Sequence, residues 1–208
     1  NTRSFFEKKK NEPKFKKAVV LRSIFNLKSE LNIDEERINL MMGNGCHLVF
    51  YPINKNKALN FVCIIRAKKY EPDNIQSLID KVINQNSSLK KVFDRNLKSW
   101  PLYSTPRILP STNNKVFYIG DSFNGFLPTL AQGAGQSIES SFELFNLIKE
   151  ERGDIQNIYF QERSNKAMIV RRRSNFNFFI FHLSSKFMQT IRNFFMKFLL
   201  KRKGFINS

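Results

Sequence analysis

The sequence has little cysteine and no long apolar run, and both absences restrict the class of protein. Only Cys46 and Cys63 occur among 208 residues, so no disulfide framework is required and a reducing compartment is expected. No stretch reaches the roughly 18 to 20 consecutive apolar residues that span a bilayer. The first residues also lack the apolar core of a signal peptide. We therefore expect a cytoplasmic protein and leave open a peripheral contact with the inner membrane.

Several catalytic signatures are also missing. The two histidines and two cysteines show no metal-ligand spacing, so no metal site is predicted. A Ser-His-Asp hydrolase is not indicated, because the Gly-x-Ser-x-Gly motif that carries the nucleophilic serine in such enzymes does not occur. No Gly-x-Gly-x-x-Gly fingerprint with a downstream ribose-binding acid is present either. Since the chain also begins without Met, we expect it to be a piece of a longer protein.

Basic charge dominates the composition, but it lies at the two ends. The chain carries 35 Lys and Arg against 17 Asp and Glu, a net charge of +18. Residues 1–20 carry a net charge of +5 and residues 163–208 carry +11, which leaves +2 for residues 21–162. Such a balance suggests a polyanionic partner. Because no nucleic-acid-binding signature is present, we expect no nucleic acid partner; a basic nucleic-acid-binding module stays as an alternative of another class.

The first half of the sequence predicts an antiparallel sheet. Short segments rich in β-branched and aromatic residues are typical of strands. Polar residues 54–57 have the length of a hairpin connection, and residues 29–37 are expected to form a turn or a short helix. The predicted strands cover residues 18–25, 38–42, 47–53 and 58–65.

The remainder predicts helices and one buried strand. Pro101, Pro106 and Pro110 favour an extended crossing over residues 100–110, and the apolar run 116–119 predicts a short buried strand. Gly153 is expected to stop the helix that begins at Gly133. Apolar residues at helical spacing predict helices over residues 73–84, 89–97 (more weakly), 133 to about 150, 155–182 and 186–203.

An acid and several glycines follow that predicted strand, in the run GDSFNGFLPTLAQGAGQSIE from Gly120 to Glu139. An acid at the carboxyl end of a buried strand accepts hydrogen bonds from a ribose diol. Glycines at the start of a helix let a planar or anionic ligand approach bare N–H groups. On spacing alone, a turn followed by a helix cap explains the run better than a nucleotide site does.

The complete run resembles the second FAD-binding motif of the class A flavin-dependent aromatic hydroxylases, typified by salicylate and para-hydroxybenzoate hydroxylases. There Gly-Asp-Ala-Ala-His precedes a Pro, then Ala-Gln-Gly and a helix containing Glu-Asp. Residues 42–52, MGNGCHLVFYP, are similar to the strand Gly-x-His-x-Val-x-Tyr-Pro of the salicylate-hydroxylase branch. The likeness covers most of residues 15–190. Ser122-Phe123-Asn124 and Glu139-Ser140 depart from the family pattern.

The resemblance implies an α/β fold: a substrate-domain β-sheet with helices, and the C-terminal part of a Rossmann-like FAD-binding domain whose N-terminal dinucleotide unit is missing. The expected domains are residues 1–105, a substrate-binding mixed β-sheet region with helices; 106–150, the FAD-binding strand-loop-helix; and 151–208, basic C-terminal helices.

The same resemblance implies site residues for FAD. Asp121, after Gly120, would bind the ribitol or ribose side, and Pro128 would lie against the isoalloxazine. Backbone N–H groups would face the pyrimidine edge of the ring, where the positive end of the helix stabilises charge on the reduced flavin. Those N–H groups are around Gln132, Gly133, Ala134 and Gly135.

The implied substrate residues are His47 and Tyr51. They lie four residues apart and therefore on one face of a strand. From the residues alone His47 is expected to be a packed core or surface histidine; the resemblance favours a substrate role, because the family position faces the substrate pocket and binds or deprotonates a phenol. His182 is expected to be a helix-packing residue. Arg22 is left with two interpretations, a partner for a substrate carboxylate or an edge residue with its charge in water.

The implied activity is that of an FAD-dependent monooxygenase. NAD(P)H would reduce the flavin, O2 would add at C4a, and the C4a-hydroperoxide would hydroxylate a small aromatic or phenolic substrate. A ubiquinone-biosynthesis ring hydroxylase at the membrane is an alternative, because residues 186–208 combine a Phe-rich face with basic charge. That face more commonly packs on its own domain. A noncatalytic remnant also stays open, and the isolated chain is expected to bind FAD weakly and be inactive.

Overall fold

The chain forms two compact units in the computed structural model, which describes residues 2–6, 12–26, 33–34, 36–55, 57–94, 96–105, 108–113, 115–151 and 153–200. One unit comprises Asn1–Lys16 and Leu102–Phe178, and the other comprises Lys17–Pro101 and Phe179–Ser208. We call them the loop unit and the sheet unit. The division at residues 105, 150 and 208 stays a prediction; the compact units divide 151–208 between them at Phe178.

The sheet has five strands in the order β2-β3-β4-β1-β5. β3 pairs antiparallel with β2 and with β4, and β4 pairs antiparallel with β1. The four strands predicted in the first half are confirmed, and part of the expected turn or helix at 29–37 lies outside the described residues. The strands are β1 (Lys14–Asn26), β2 (Asn39–Gly43), β3 (Cys46–Ile53), β4 (Ala58–Arg66) and β5 (Lys98–Ser104).

The predicted hairpin between β3 and β4 is confirmed. Asn54 and Lys55 both have φ 53°, the left-handed backbone that reverses the chain within the four-residue connection 54–57. The ladder closes at Ile53 opposite Ala58. This turn fixes the register of β3 against β4, and register decides which side chains share a face.

One face of the sheet is covered by α2 (Ile75–Ile83) and α3 (Lys90–Phe93). Phe61 on β4 meets Phe93 edge to face, with 5.4 Å between ring centroids. Both helices lie inside the predicted ranges, α2 after a 3₁₀ turn at Pro72–Asn74. The buried side chains of this core include Val19, Leu21, Leu48, Phe50, Phe61, Cys63, Leu78, Ile79, Val82 and Phe93.

The loop unit packs α4 (Gly133–Lys149) against α5 (Ile155–Phe181), whose last residues belong to the sheet unit. The buried side chains Tyr118, Phe123, Leu147, Tyr159 and Ala167 form its core. A short helix, α1 (Thr2–Phe6), opens the chain, and α6 (Lys186–Leu200) lies in the sheet unit. None of the helices among the described residues is both long enough and apolar enough to cross a bilayer.

The predicted strand at 116–119 is wrong. Ile119 has an extended backbone, φ −128° and ψ 158°, but no strand of the described chain pairs with this segment. The Tyr118 carbonyl instead accepts a hydrogen bond from the Tyr159 hydroxyl at 3.0 Å. Since β-structure requires a hydrogen-bonded neighbour, the apolar run remains extended without becoming a strand.

Helical spacing predicted α4 correctly but not the face that it buries. The apolar series Ile138, Phe142, Phe145 and Ile148 is 53–72% exposed, and the buried side chains of α4 are Ser140 and Leu147. The helix ends at Lys149, close to the predicted end, but Glu151, with φ 48°, is the left-handed residue after its end, so Gly153 is not the stop.

A buried arginine joins α4 to α5. Arg163 is 2% exposed and donates to Glu143 Oε2 at 3.2 Å and to Gln136 Oε1 at 2.6 Å. Partial burial by itself raises the pKa of Glu139, but Arg163 and Lys166 outweigh it and hold that pKa below its usual value. This network holds the first half of α4 on α5.

We expect Arg163→Met to lower the free energy of unfolding by about 3 kcal/mol, because it leaves Glu143 without its buried partner. Lys166→Met is the matched control: the Lys166 side chain is 52% exposed, and its loss should cost under about 1 kcal/mol. Urea titration monitored by circular dichroism measures both. Equal losses for the two variants would contradict a structural role for the buried charge.

Candidate functional site

The Gly-Asp turn of the flavin motif lies directly against α4. Gly120 begins a 3₁₀ turn through Ser122 and has φ 56°. A Cβ at this position would lie 2.6 Å from the Ser137 hydroxyl oxygen and 3.2 Å from Ser137 Cβ. Both the backbone conformation and the close approach therefore require glycine, and the contact brings Asp121 to the beginning of α4.

Three of the residues that depart from the family pattern, Ser122, Phe123 and Asn124, follow Asp121 in this turn. The Ser122 hydroxyl donates to the Ile119 carbonyl at 2.6 Å and accepts from the Ile119 N–H at 3.2 Å. Phe123 is buried against the ring of Tyr159, 6.0 Å between centroids. Asn124 is buried, and its side-chain amide has no hydrogen-bond partner among the described residues. Ser122 and Phe123 thus hold the turn that carries Asp121.

The beginning of α4 presents unshared hydrogen-bond donors. Gln132 at the N-cap makes no side-chain capping bond, and the first turn contains no acid. Within an α-helix the first N–H groups have no acceptor four residues earlier. At Gly133 and Gly135, nothing lies within 4 Å of an added Cβ, so a planar group has room to approach the backbone closely.

The other predicted cofactor residues are also on the surface of the loop unit. Asp121, Pro128 and Ala134 are exposed. Pro128 opens a second 3₁₀ turn, and Ala131 with φ 53° redirects the chain into α4. An exposed carboxylate acceptor, a proline and an uncapped helix start on one short segment suit the ribityl chain and the ring of a flavin. The hydrogen-bond acceptor, the proline and the N–H donors of this segment therefore fit FAD.

The predicted substrate residues belong to the sheet face that α2 and α3 leave uncovered. Strand alternation places His47 and Tyr51 on that face, as predicted. Cross-strand register gives three rows on β3, β4 and β1, which are His47–Ile64–Val20, Val49–Val62–Arg22 and Tyr51–Asn60–Ile24.

The His47 end of this face is closed. His47 is 2% exposed; its Nδ1 lies 3.1 Å from His182 Nε2, which is itself 3.2 Å from the Ile64 carbonyl. Because a carbonyl oxygen only accepts, His182 Nε2 carries the proton, and this single N–H is shared between the Ile64 carbonyl and His47 Nδ1, both of which accept. Burial, and then the charge of His182, lower the pKa of His47 to about 3. His47 is therefore neutral with its proton on Nε2, and the packing role expected of His182 is confirmed.

The other end of the face is polar. Tyr51 is half-buried, and Asn60, opposite it on β4, is fully buried. Arg22 Nε donates to Asn60 Oδ1 at 2.8 Å, which leaves Asn60 Nδ2 as a buried donor without a partner in the described chain. Sequence reasoning missed Asn60, although an amide inside the apolar strand ALNFVCIIR was a usable signal.

Comparison with known proteins was made by sequence and by structure. No protein-family model matches the chain. It is 26% identical over 106 residues to 3-hydroxybenzoate 6-hydroxylase 1 of Aquipseudomonas alcaligenes, covering 48% of this chain and 27% of the relative. It is 28% identical over 155 residues to the FAD-dependent monooxygenase cfoG of Aspergillus candidus, covering 67% and 36%. The chain thus spans about a third of the length of these curated relatives.

Solved structures give the fold. HpxO of Klebsiella pneumoniae, in complex with FAD and uric acid, matches with a TM-score of 0.76 at 13% identity, over 94% of this chain and 52% of that one. A salicylate hydroxylase substrate complex matches with a TM-score of 0.67 at 15% identity, over 84% and 49%. The predicted resemblance is confirmed: the chain has the α/β fold of the class A flavin-dependent monooxygenases, over about half of the larger fold.

We expect Gly120→Ala to destabilise the chain by about 2 kcal/mol, because alanine is strained at this φ and its Cβ meets Ser137. Gly135→Ala is the control and should be neutral or stabilising by up to about 1 kcal/mol, since alanine favours a helix. Urea midpoints test this. Adding Ser137→Gly to Gly120→Ala should recover part of the loss, and no difference between the two alanine variants would contradict the close contact.

The buried His47 predicts a pH dependence of stability. Below the pKa of about 6.5 of an unfolded histidine, the unfolded chain binds a proton that the folded chain, with a His47 pKa of about 3, does not. Stability should therefore fall by about 1.4 kcal/mol per pH unit on acidification from pH 6.5. In His47→Asn, an amide oxygen replaces Nδ1 as the acceptor for His182.

Urea unfolding of the unmodified chain and of His47→Asn at several pH values between 6.5 and 4.5 measures this contribution. Groups other than His47 titrate in both proteins, so the difference between the two slopes isolates His47. The variant should show the shallower slope. Parallel slopes would mean that His47 is not held neutral.

Proposed function

We propose that this chain is the substrate-sheet and flavin-ring portion of an FAD-dependent monooxygenase. The whole protein would use NAD(P)H and O2 to hydroxylate a small aromatic or phenolic substrate. The observation that carries this proposal is the Gly120–Asp121 turn, held by Ser137 against the uncapped beginning of α4. The same fold in proteins solved with FAD supports it.

Residues of the loop unit would hold FAD. The Asp121 carboxylate would accept hydrogen bonds from the sugar or ribityl hydroxyls, after Gly120. The N–H groups at Gln132, Gly133, Ala134 and Gly135 would donate to the pyrimidine edge, and Pro128 would lie against the ring. When bound, FAD supplies the oxidising chemistry that activates O2. The positive end of α4 favours negative charge on the ring.

Residues of the uncovered sheet face would position the substrate. Tyr51 would contact the aromatic ring or its phenol. His47 is also proposed as a substrate residue; because it is 2% exposed and covered by Phe181 and His182, it would reach a substrate only when these side chains move aside. Its tautomer then favours one of the two roles considered for it. Because Nδ1 already accepts from His182, the remaining nitrogen, Nε2, carries a proton. His47 would therefore donate to a phenolic oxygen and not remove its proton.

The whole protein expressed from its complete coding region tests the proposal. It should purify with FAD and oxidise NAD(P)H when 3-hydroxybenzoate, salicylate or another phenol is added. Asp121→Ala should weaken FAD binding at least tenfold, as loss of hydrogen bonds to a charged group does, whereas exposed Asp94→Ala should not. A flavin-free protein, or equal effects of the two variants, would contradict the assignment. The 208-residue chain alone should bind FAD more weakly than micromolar.

A peripheral membrane contact through residues 186–208 is a second proposal, carried by α6. Phe187, Phe194, Phe195 and Phe198 are 49–72% exposed, so the expected packing of this face on its own domain is wrong for the described residues. The sequence has no acid from residue 163 to its end and eleven basic residues. An apolar helical face in a segment with only positive charge is complementary to an anionic lipid surface.

Co-sedimentation with phosphatidylserine-containing vesicles tests this contact. We expect binding that weakens several-fold in the triple variant Phe187→Ser, Phe194→Ser, Phe198→Ser and that is lost on neutral phosphatidylcholine. Phe176→Ser, an exposed phenylalanine on α5, is the control. Failure to bind the vesicles would contradict the membrane contact. Concentration-dependent dimerisation that the triple variant abolishes would mean that the face packs against a second copy of the chain instead.

A further inference from the structure

Pro128, the residue proposed to lie against the flavin ring, belongs to a short segment between the Gly-Asp turn and α4. Pro128 is exposed, whereas Leu127 before it is 4% exposed. The 3₁₀ turn Pro128–Leu130 closes where the Ala131 N–H donates to the Pro128 carbonyl at 3.0 Å. A single 3₁₀ turn has poor hydrogen-bond geometry, so contacts outside the turn must stabilise its position.

One buried serine of α5 supplies such contacts on both sides of Pro128. Ser174 is 1% exposed, and its hydroxyl donates to the Leu127 carbonyl at 2.8 Å. The Thr129 hydroxyl donates to the Ser174 carbonyl at 2.7 Å. All of these residues belong to the loop unit. We call the two hydrogen bonds the α5 clasp.

The first bond of the α5 clasp orients the ring of Pro128. The Leu127 carbonyl belongs to the same peptide group as the Pro128 nitrogen, and a peptide group is planar. Because the pyrrolidine ring includes that nitrogen and restricts φ, a bond that holds the Leu127 carbonyl also sets the plane from which the ring extends. Proline has no N–H of its own to donate, so its position depends on its neighbours.

The Ser174 hydroxyl is used differently from those of other helical serines. A serine hydroxyl within a helix commonly donates to a carbonyl three or four residues earlier. Ser141 on α4 donates in this way to Ser137. Ser164, on α5 like Ser174, donates to Gln161. Ser174 donates instead to a loop residue 47 positions earlier in the chain, so its hydroxyl serves the loop and not its own helix.

We propose that Ser174 and Thr129 are positioning residues for the flavin ring, and that through the α5 clasp they set where Pro128 lies against it. The inference rests on the proposed function and adds two residues that act through Pro128. Without the clasp, the segment would lose its fixed position on α5, and the surroundings of the ring would differ from one molecule to the next.

Amide hydrogen exchange in the 208-residue chain, without flavin, tests the clasp itself. Ser174→Ala removes the donor to Leu127, and Thr129→Val removes the donor to Ser174 while keeping a similar shape. Each variant should raise the exchange rate of the Ala131 amide about fivefold or more, since one hydrogen bond changes a local opening equilibrium by roughly that factor. The Ile158 amide, elsewhere on α5, should keep its rate.

Two controls separate the clasp from general effects of substitution. Ser164→Ala removes a serine hydroxyl of the same helix that donates to the helix itself. Thr129→Ser shortens the side chain but keeps the hydroxyl that donates to Ser174. In both controls the Ala131 amide should exchange at the rate of the unmodified chain. Circular dichroism and urea midpoints establish that every variant is folded.

The flavin reports on its own positioning in the whole protein expressed from its complete coding region. With FAD bound, Ser174→Ala and Thr129→Val should change the visible absorption and circular dichroism bands of the flavin in the same direction, because both substitutions release the same neighbour of the ring. The bands of Ser164→Ala and Thr129→Ser should coincide with those of the unmodified protein. These spectra require neither NAD(P)H nor turnover.

Unchanged exchange at Ala131 in both Ser174→Ala and Thr129→Val would overturn the α5 clasp. An equal rise at Ile158 would overturn it too, because that result indicates general destabilisation. Faster exchange at Ala131 with unchanged flavin bands would overturn the positioning role and leave a purely structural contact. A whole protein that binds no FAD would contradict the proposed function and the positioning role with it, while the exchange measurement, made without flavin, would still decide whether the clasp holds the segment.

Discussion

Strict alternation of side chains across β1, β3 and β4 is the constraint on which the proposed substrate face of this protein depends. Alternate residues of these strands fill the core against α2 and α3, so the residues between them must form the opposite face. A shift of one residue in the β3–β4 register would exchange the two faces. The turn at Asn54 and Lys55 prevents that shift, and it thereby places His47, Tyr51, Asn60 and Arg22 together.

The proposed flavin site depends on a different constraint, the approach of Gly120 to Ser137. Only a residue without Cβ fits there, and the left-handed backbone at Gly120 turns Asp121 onto the surface. Arg163 contributes by holding the first half of α4 on α5 through Glu143 and Gln136. The proposed cofactor residues thus gain their positions from buried groups that would not touch the cofactor.

The two histidines illustrate how packing changes chemistry. His47 alone on a strand has both nitrogens available and a pKa near neutrality. With His182 and the Ile64 carbonyl beside it, one nitrogen is occupied and the pKa falls to about 3. The arrangement favours a neutral hydrogen-bond donor over a base. At the other end of the same face, the Asn60 amide fixes Arg22 and converts a mobile surface charge into an oriented one.

Local patterns in the sequence determined the four early strands, the hairpin, α2, α4 and α5, and the motif from Gly120 to Glu139, because spacing and turn residues act over a few positions. Tertiary structure alone decided three other features. Residues 116–119 lack a strand because no neighbour pairs with them, and α4 exposes its apolar series because its polar side carries Ser140 and the partners of Arg163. Asn60 acquires a role only from β1 across the ladder. Burial, pairing and pKa depend on groups distant in the chain, and a periodic pattern carries no information about those partners.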